Sequence, residues 1–193
     1  MSKFDELISA MKAAAPGSRQ QLLQYLMHNL ERMPKNRLAA EDREALMAGL
    51  AEFLPYIDNW ATCDMLRPRL FGQDIPALRQ SIAGWMADSH PYACRFGIEM
   101  LMVHCLKAAF LPDDLAAVSA VGAAREGEYY VAMMCAWYFA TALAEQPAAV
   151  MPYFFGRRLS PGIWSRAVQK ACESLRIPAE TKAELRRLRA NFC

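Results

Sequence analysis

Apolar residues in this chain recur every three to four positions, stretch after stretch, and proline falls at many of the breaks. That period is helical. No stretch alternates with period two for long enough to make a strand. An all-α chain is expected. Phe4, Leu7, Ile8 and Met11 mark a helix over 3–14, broken by Pro16-Gly17. Ser18 caps the next, through Leu22, Leu26 and Leu30, and Pro34 stops it. A third runs from Glu41 to Leu54, and Pro55 parts it from a short helix around Trp60. Residues 75–87 form an amphipathic helix, and Tyr92 to Leu106 a long apolar one whose only charges are Arg95 and Glu99. Asp113 is placed to cap a helix over 114–124. A second long apolar helix covers 128–145, and a shorter one 148–155. Ser160-Pro161 opens a helix to Leu175, and Pro178 opens the last, with Leu185 and Leu188 facing inward.

The pairs 75–87 with 91–108 and 113–124 with 128–145 recur at about 37 residues, a spacing typical of helical repeats. A nearly all-apolar helix beside an amphipathic one cannot bury its surface alone, so such pairs stack. The predicted architecture is a solenoid of antiparallel helix pairs, with residues 1–193 as a single domain. A compact helical bundle is the alternative.

Composition narrows the setting. Hydrophobic residues make up 54% of the chain, yet no uninterrupted apolar run reaches the ~18 residues of a membrane span. Six cysteines fall at 63, 94, 105, 135, 172 and 193 with no CxxC pair, so neither a zinc site nor a redox motif is indicated. Without a recognisable signal peptide, a reducing cytoplasmic setting is expected. Histidines 28, 90 and 104 lack metal-ligand spacing. Charge is uneven. Residues 157–193 carry nine Lys/Arg against three Asp/Glu, a net +6 in a chain of net +2. Arg157, Arg158, Arg166 and Lys170 begin this basic segment, which suits a polyanion such as nucleic acid. A solvated helical face, basic to complement helix dipoles, is the plainer reading.

Candidate chemistry sits in three places. Trp60 and Asp64 are four apart, so a helix sets indole and carboxylate on one face, with Asp58 or Asn59 as cap and Pro68 ending the helix near Arg67. Arg95 is placed either to pair with Glu99 one turn on or to aim its planar fork at a phosphate. Trp137 lies inside an apolar helix, where core packing is the ordinary role of tryptophan, as for Trp85 and Trp164.

Taken together, these stretches resemble a known family. Trp60-x-x-x-Asp64, the run from Trp85 through His90-Pro91 to Arg95, the set Tyr130, Val131, Met134, Ala136 and Trp137, and Gln169-Lys170-Ala171-Cys172-Glu173-Ser174 are similar in order and spacing to the DNA alkylation repair family of AlkD-like alkylpurine DNA glycosylases. The similarity covers about residues 40–190. It implies HEAT-like, armadillo-type repeats whose concave cleft holds double-stranded DNA carrying alkylated bases. It also implies excision of N3- and N7-alkylated purines by a monomer without metal, cofactor or membrane. Trp60, Asp64 and Trp137 match the family's catalytic tryptophans and aspartate, and Arg95 matches its phosphate-contacting arginine. Only 59 residues precede Trp60, fewer than in longer members, which implies a shorter groove. A non-catalytic module for damaged or unusual DNA and a protein-interaction scaffold are the other functions this fold serves.

Overall fold

Proline opens helices in the computed structural model of this chain. Pro91, Pro112, Pro147 and Pro161 each stand at a first helical position. Proline's missing N–H costs nothing there, and its fixed φ already suits the helix. The structure describes residues 53–190 and the isolated positions 9, 10, 13, 47, 50 and 51. The helices expected over 3–14, 18–33 and 41–54 lie almost wholly outside the described residues, as do His28 and Cys193.

Eight α-helices and two 3-10 turns make up the elements from Leu54 to Ala190, and no strand occurs among the described residues. They are α1 (Trp60–Met65), α2 (Ile75–Ala87), α3 (Pro91–Cys105), α4 (Pro112–Ala124), α5 (Tyr129–Glu145), α6 (Pro147–Phe155), α7 (Pro161–Glu173) and α8 (Ala179–Ala190). The 3-10 turns are Leu54–Tyr56 and Arg69–Gln73. Among the described residues the all-α expectation holds. No helix among the described residues is long and apolar enough to cross a membrane. The chain divides into two compact units, residues 1–96 and 97–193, and the division falls inside α3.

In the first unit Trp85 is core, its ring edge-on to Phe96 at 4.8 Å and tilted against Phe71 at 6.2 Å. Cys94 Sγ donates to the Met86 carbonyl at 3.4 Å, tying α3 to α2. The turn between them is closed by Asp88, whose Oδ1 accepts the His90 N–H at 2.7 Å.

In the second unit α5 is the centre. Ten of its residues are buried, from Val131 to Leu143, because nothing charged interrupts it before Glu145. It packs against α4, α6 and most extensively α7, and α8 packs on α7. Gly122 permits the close approach of α4, since a Cβ there would meet Ile163 Cγ1 at 3.3 Å and Cys135 Sγ at 3.4 Å. Trp164 is core as expected, its indole N–H donating to the Phe154 carbonyl at 2.8 Å. Burial pushes the His104 imidazole below its ordinary 6.5, because the charged form is the poorly solvated one. Leu185 is buried and Leu188 half-buried. The five described cysteines are thiols, four of them buried, as small hydrophobes are.

Two end signals differ from expectation. Leu111, not Asp113, holds the cap position of α4, and its N–H donates to Asp114 Oδ2 at 3.2 Å. Pro112 at the first helical position shifts the start two residues earlier than an Asp113 cap would. The helix α1 stops at Met65, before Arg67, because the Leu66 N–H turns back to the Cys63 carbonyl.

Candidate functional site

The short helix α1 exists because Asn59 starts it. Asn59 Oδ1 accepts the Thr62 N–H at 2.8 Å, satisfying one of the N–H groups the helix start leaves unpaired. Asp58 Oδ1 in turn accepts from Asn59 Nδ2 at 2.8 Å. Trp60 is thus the first helical residue, and its side chain stays 54% exposed, outside the core that claims most tryptophans. Asp64 follows one turn later.

Asp64 is gripped by Arg95. Arg95 Nε donates to Oδ1 at 2.8 Å and Nη2 to Oδ2 at 2.7 Å. This two-pronged match of guanidinium and carboxylate is the strongest geometry for such a pair. Only 6% of the Arg95 side chain and 12% of the Asp64 side chain remain exposed. Cys63 Sγ donates to the Tyr92 carbonyl at 3.5 Å, so neighbouring residues on α1 and α3 hold both ends of the pair in place. Arg95 therefore meets a carboxylate thirty-one residues away, and an exposed indole stands one turn before that carboxylate.

In the second unit Trp137 is half-buried on α5 and Lys170 half-buried on α7. Both line an open groove of about 420 Å³. Lys170 makes no ion pair or side-chain hydrogen bond with the described residues. Arg166 Nη1 donates to the Gly162 carbonyl at 3.0 Å, while the Gly162 N–H donates to Glu126. Ser160 stands at the cap position of α7 without a side-chain cap bond, and this Glu126 carboxylate sits at the same helix start.

Arg157 and Arg158 are exposed on the turn after α6. Arg157 has φ 52°, a left-handed conformation. The Arg158 N–H reaches back to the Tyr153 carbonyl at 3.3 Å, its guanidinium lies 5.8 Å from the Tyr153 ring centre, and its carbonyl accepts from Ser119 Oγ at 2.8 Å. Glycine usually takes the left-handed place at a helix end, yet Gly156 falls one residue early. A Cβ on Gly156 would lie 2.6 Å from the Pro152 carbonyl oxygen, so glycine is needed there for space. Arg157 is left in a conformation that costs an ordinary residue about 1–2 kcal/mol. Arg157→Gly is expected to stabilise the protein by about 0.5–1 kcal/mol after glycine's own entropy cost. Thermal unfolding checks this, and an unchanged or lower melting temperature would contradict it.

Sequence reasoning pointed to Asp64 and Arg95 separately and missed their pairing. Both lay in stretches already singled out, and an arginine in a helix whose only other charge is Glu99 was the available signal. Trp60, Asp64 and Arg95 belong to the first unit, and Trp137, Arg157, Arg158, Arg166 and Lys170 to the second.

A family model described as DNA alkylation repair enzyme matches residues 16–126. The matched span contains Trp60, Asp64 and Arg95 and ends before Trp137 and the basic segment. No curated protein and no solved structure matches the chain.

Proposed function

Because the chain belongs to the DNA alkylation repair family, we propose that it is a glycosylase that excises N3- and N7-alkylated purines from duplex DNA. The observation that carries the reading is the bidentate Asp64–Arg95 pair with the exposed Trp60 indole one turn away. An alkylated purine is cationic, so it leaves readily and needs little acid catalysis. Positive charge develops on the deoxyribose as the glycosidic bond breaks. Asp64 opposes that charge and orients the attacking water. Trp60 offers an electron-rich face to that cationic sugar, and Trp137 of the second unit is the other aromatic residue assigned to the reaction. Arg95 is a positioning residue: it fixes both carboxylate oxygens and lends its charge to a nearby backbone phosphate. The basic residues Arg157, Arg158, Arg166 and Lys170 add phosphate contacts, and the helices stack as HEAT-like repeats to carry them. The protein works as a monomer, with neither metal nor cofactor.

A second reading has its own support. With its charge already answered by Arg95, Asp64 is also what a non-catalytic module for damaged DNA would contain, the pair serving only to hold α1. A protein-interaction scaffold would likewise show Asp64 taken up by an arginine. Release of 7-methylguanine from methylated duplex DNA under single-turnover conditions separates these readings. Glycosylase action requires release above the spontaneous background. Release at background, with DNA binding retained, leaves the binding module, and absence of DNA binding leaves the scaffold.

A further inference from the structure

The groove of the second unit has a composition of its own. Trp137 forms a flat apolar wall, Thr141 and Ser174 offer hydroxyls, and Lys170 and Arg176 bring two cations. Glu173, also lining it, accepts from Gln169 Nε2 at 3.0 Å. The two cations are in different states. Lys170 is half-buried without an ionic partner among the described residues. The Arg176 guanidinium is held by Glu145, whose carboxylate also lies 3.8 Å from Lys107 Nζ.

We infer that this groove is a phosphodiester subsite in which Lys170 takes a backbone phosphate and Glu145 sets the strength of binding by withholding Arg176. A half-buried ammonium has surrendered part of its hydration and gains most from an anion that replaces it. The charge count favours a diester. With Arg176 answered by Glu145, and Glu173 also lining the groove, the uncommitted positive charge suits one negative charge better than the two of a free phosphate or monoester. The volume lies within the range of small-ligand pockets, about 300–1,000 Å³, and admits one nucleotide unit with its sugar against Trp137. The restraint is readily released. Arg176 is 54% exposed, and exposed ion pairs hold weakly. Lys107 remains beside Glu145 when Arg176 departs, so the carboxylate is not orphaned.

The inference rests on the DNA-binding part of the proposed function, and the test separates the two. Affinity of the full chain for a short undamaged duplex is measured across a salt series for the wild type and for Lys170→Met, Glu145→Gln, Glu145→Gln with Arg176→Met, and Glu180→Gln. Each phosphate contact contributes about 0.9 to the slope of log affinity against log salt. Lys170→Met is expected to flatten the slope by about 0.9. Glu145→Gln is expected to steepen it by up to about 0.9, and adding Arg176→Met to cancel that gain. Glu180→Gln removes an equal charge from the exposed start of α8 and is expected to leave the slope unchanged. Inorganic phosphate is expected to weaken binding no more than chloride of equal ionic strength. Lys170→Met with the wild-type slope, or Glu145→Gln behaving as Glu180→Gln, overturns the groove assignment alone. Phosphate that competes more strongly than chloride against wild type but not Lys170→Met overturns the diester in favour of a free phosphate. A wild type with no salt-dependent DNA binding overturns the proposed function together with the groove.

Discussion

Asp64→Asn is expected to lower release of 7-methylguanine from methylated duplex DNA by about 10²-fold or more, the scale seen when one preorganised electrostatic stabiliser is removed. The substitution keeps the shape of the side chain and removes its charge. An oxocarbenium-like sugar in the transition state loses the carboxylate that opposed it, whereas the ground-state complex loses almost nothing. DNA affinity should therefore hold or rise, because a carboxylate facing phosphates repels them before reaction begins. Trp60→Ala and Trp137→Ala should slow release less, since a cation–π contact supplies only ~1–2 kcal/mol.

The Arg95 grip adds a control to that experiment. An asparagine can accept one of the two guanidinium bonds but not answer the charge. A stability loss of about 1–3 kcal/mol is expected from the partly unsatisfied buried group. Base release must therefore be compared at a temperature where both proteins are folded. Equal release by wild type and variant there would show that activity exists and that Asp64 does not carry it.

The helices were legible in the sequence because helix formation here is local. Proline, apolar spacing and two long, largely apolar runs placed α2 to α8 within a few residues, and buried α5 as its composition demands. Trp60 was less legible. Tryptophan ordinarily belongs inside, and only the Asn59 cap, by making Trp60 the first residue of a six-residue helix, leaves it outside. The Asp64–Arg95 pair was hidden for another reason. Glu99, one turn on, is the partner that spacing offers, while Asp64 lies on another helix and is reached only through tertiary packing. The basic segment could be counted but not sorted. Its charge was visible, whereas the left-handed turn at Arg157, the Glu145 hold on Arg176 and the lack of an ionic partner for Lys170 all depend on neighbours distant in sequence.

Arg95→Met is expected to destabilise the protein by about 3–5 kcal/mol, because it leaves the largely buried Asp64 carboxylate without its partner. In a chain of this size that corresponds to a fall in melting temperature of roughly 10 °C. Arg95→Lys keeps the charge but cannot present two parallel donors, so its loss should be intermediate. Combining Arg95→Met with Asp64→Leu removes both charges and should recover much of the stability, since two apolar groups cost less than one stranded ion. A coupling energy of ~2 kcal/mol or more in that double-mutant cycle identifies the pair as the tie between α1 and α3. Single and double variants that melt within a degree of wild type would show that the Cys63–Tyr92 contact and the surrounding core hold α1 without it. Arg95→Lys also divides structure from chemistry. Measured well below its melting temperature, it retains a folded α1 and a cation near DNA but no longer fixes both carboxylate oxygens. If Arg95 positions Asp64 for the reaction, base release falls while duplex affinity changes little. If Arg95 only contacts phosphate, the ammonium serves nearly as well, and base release stays close to wild type.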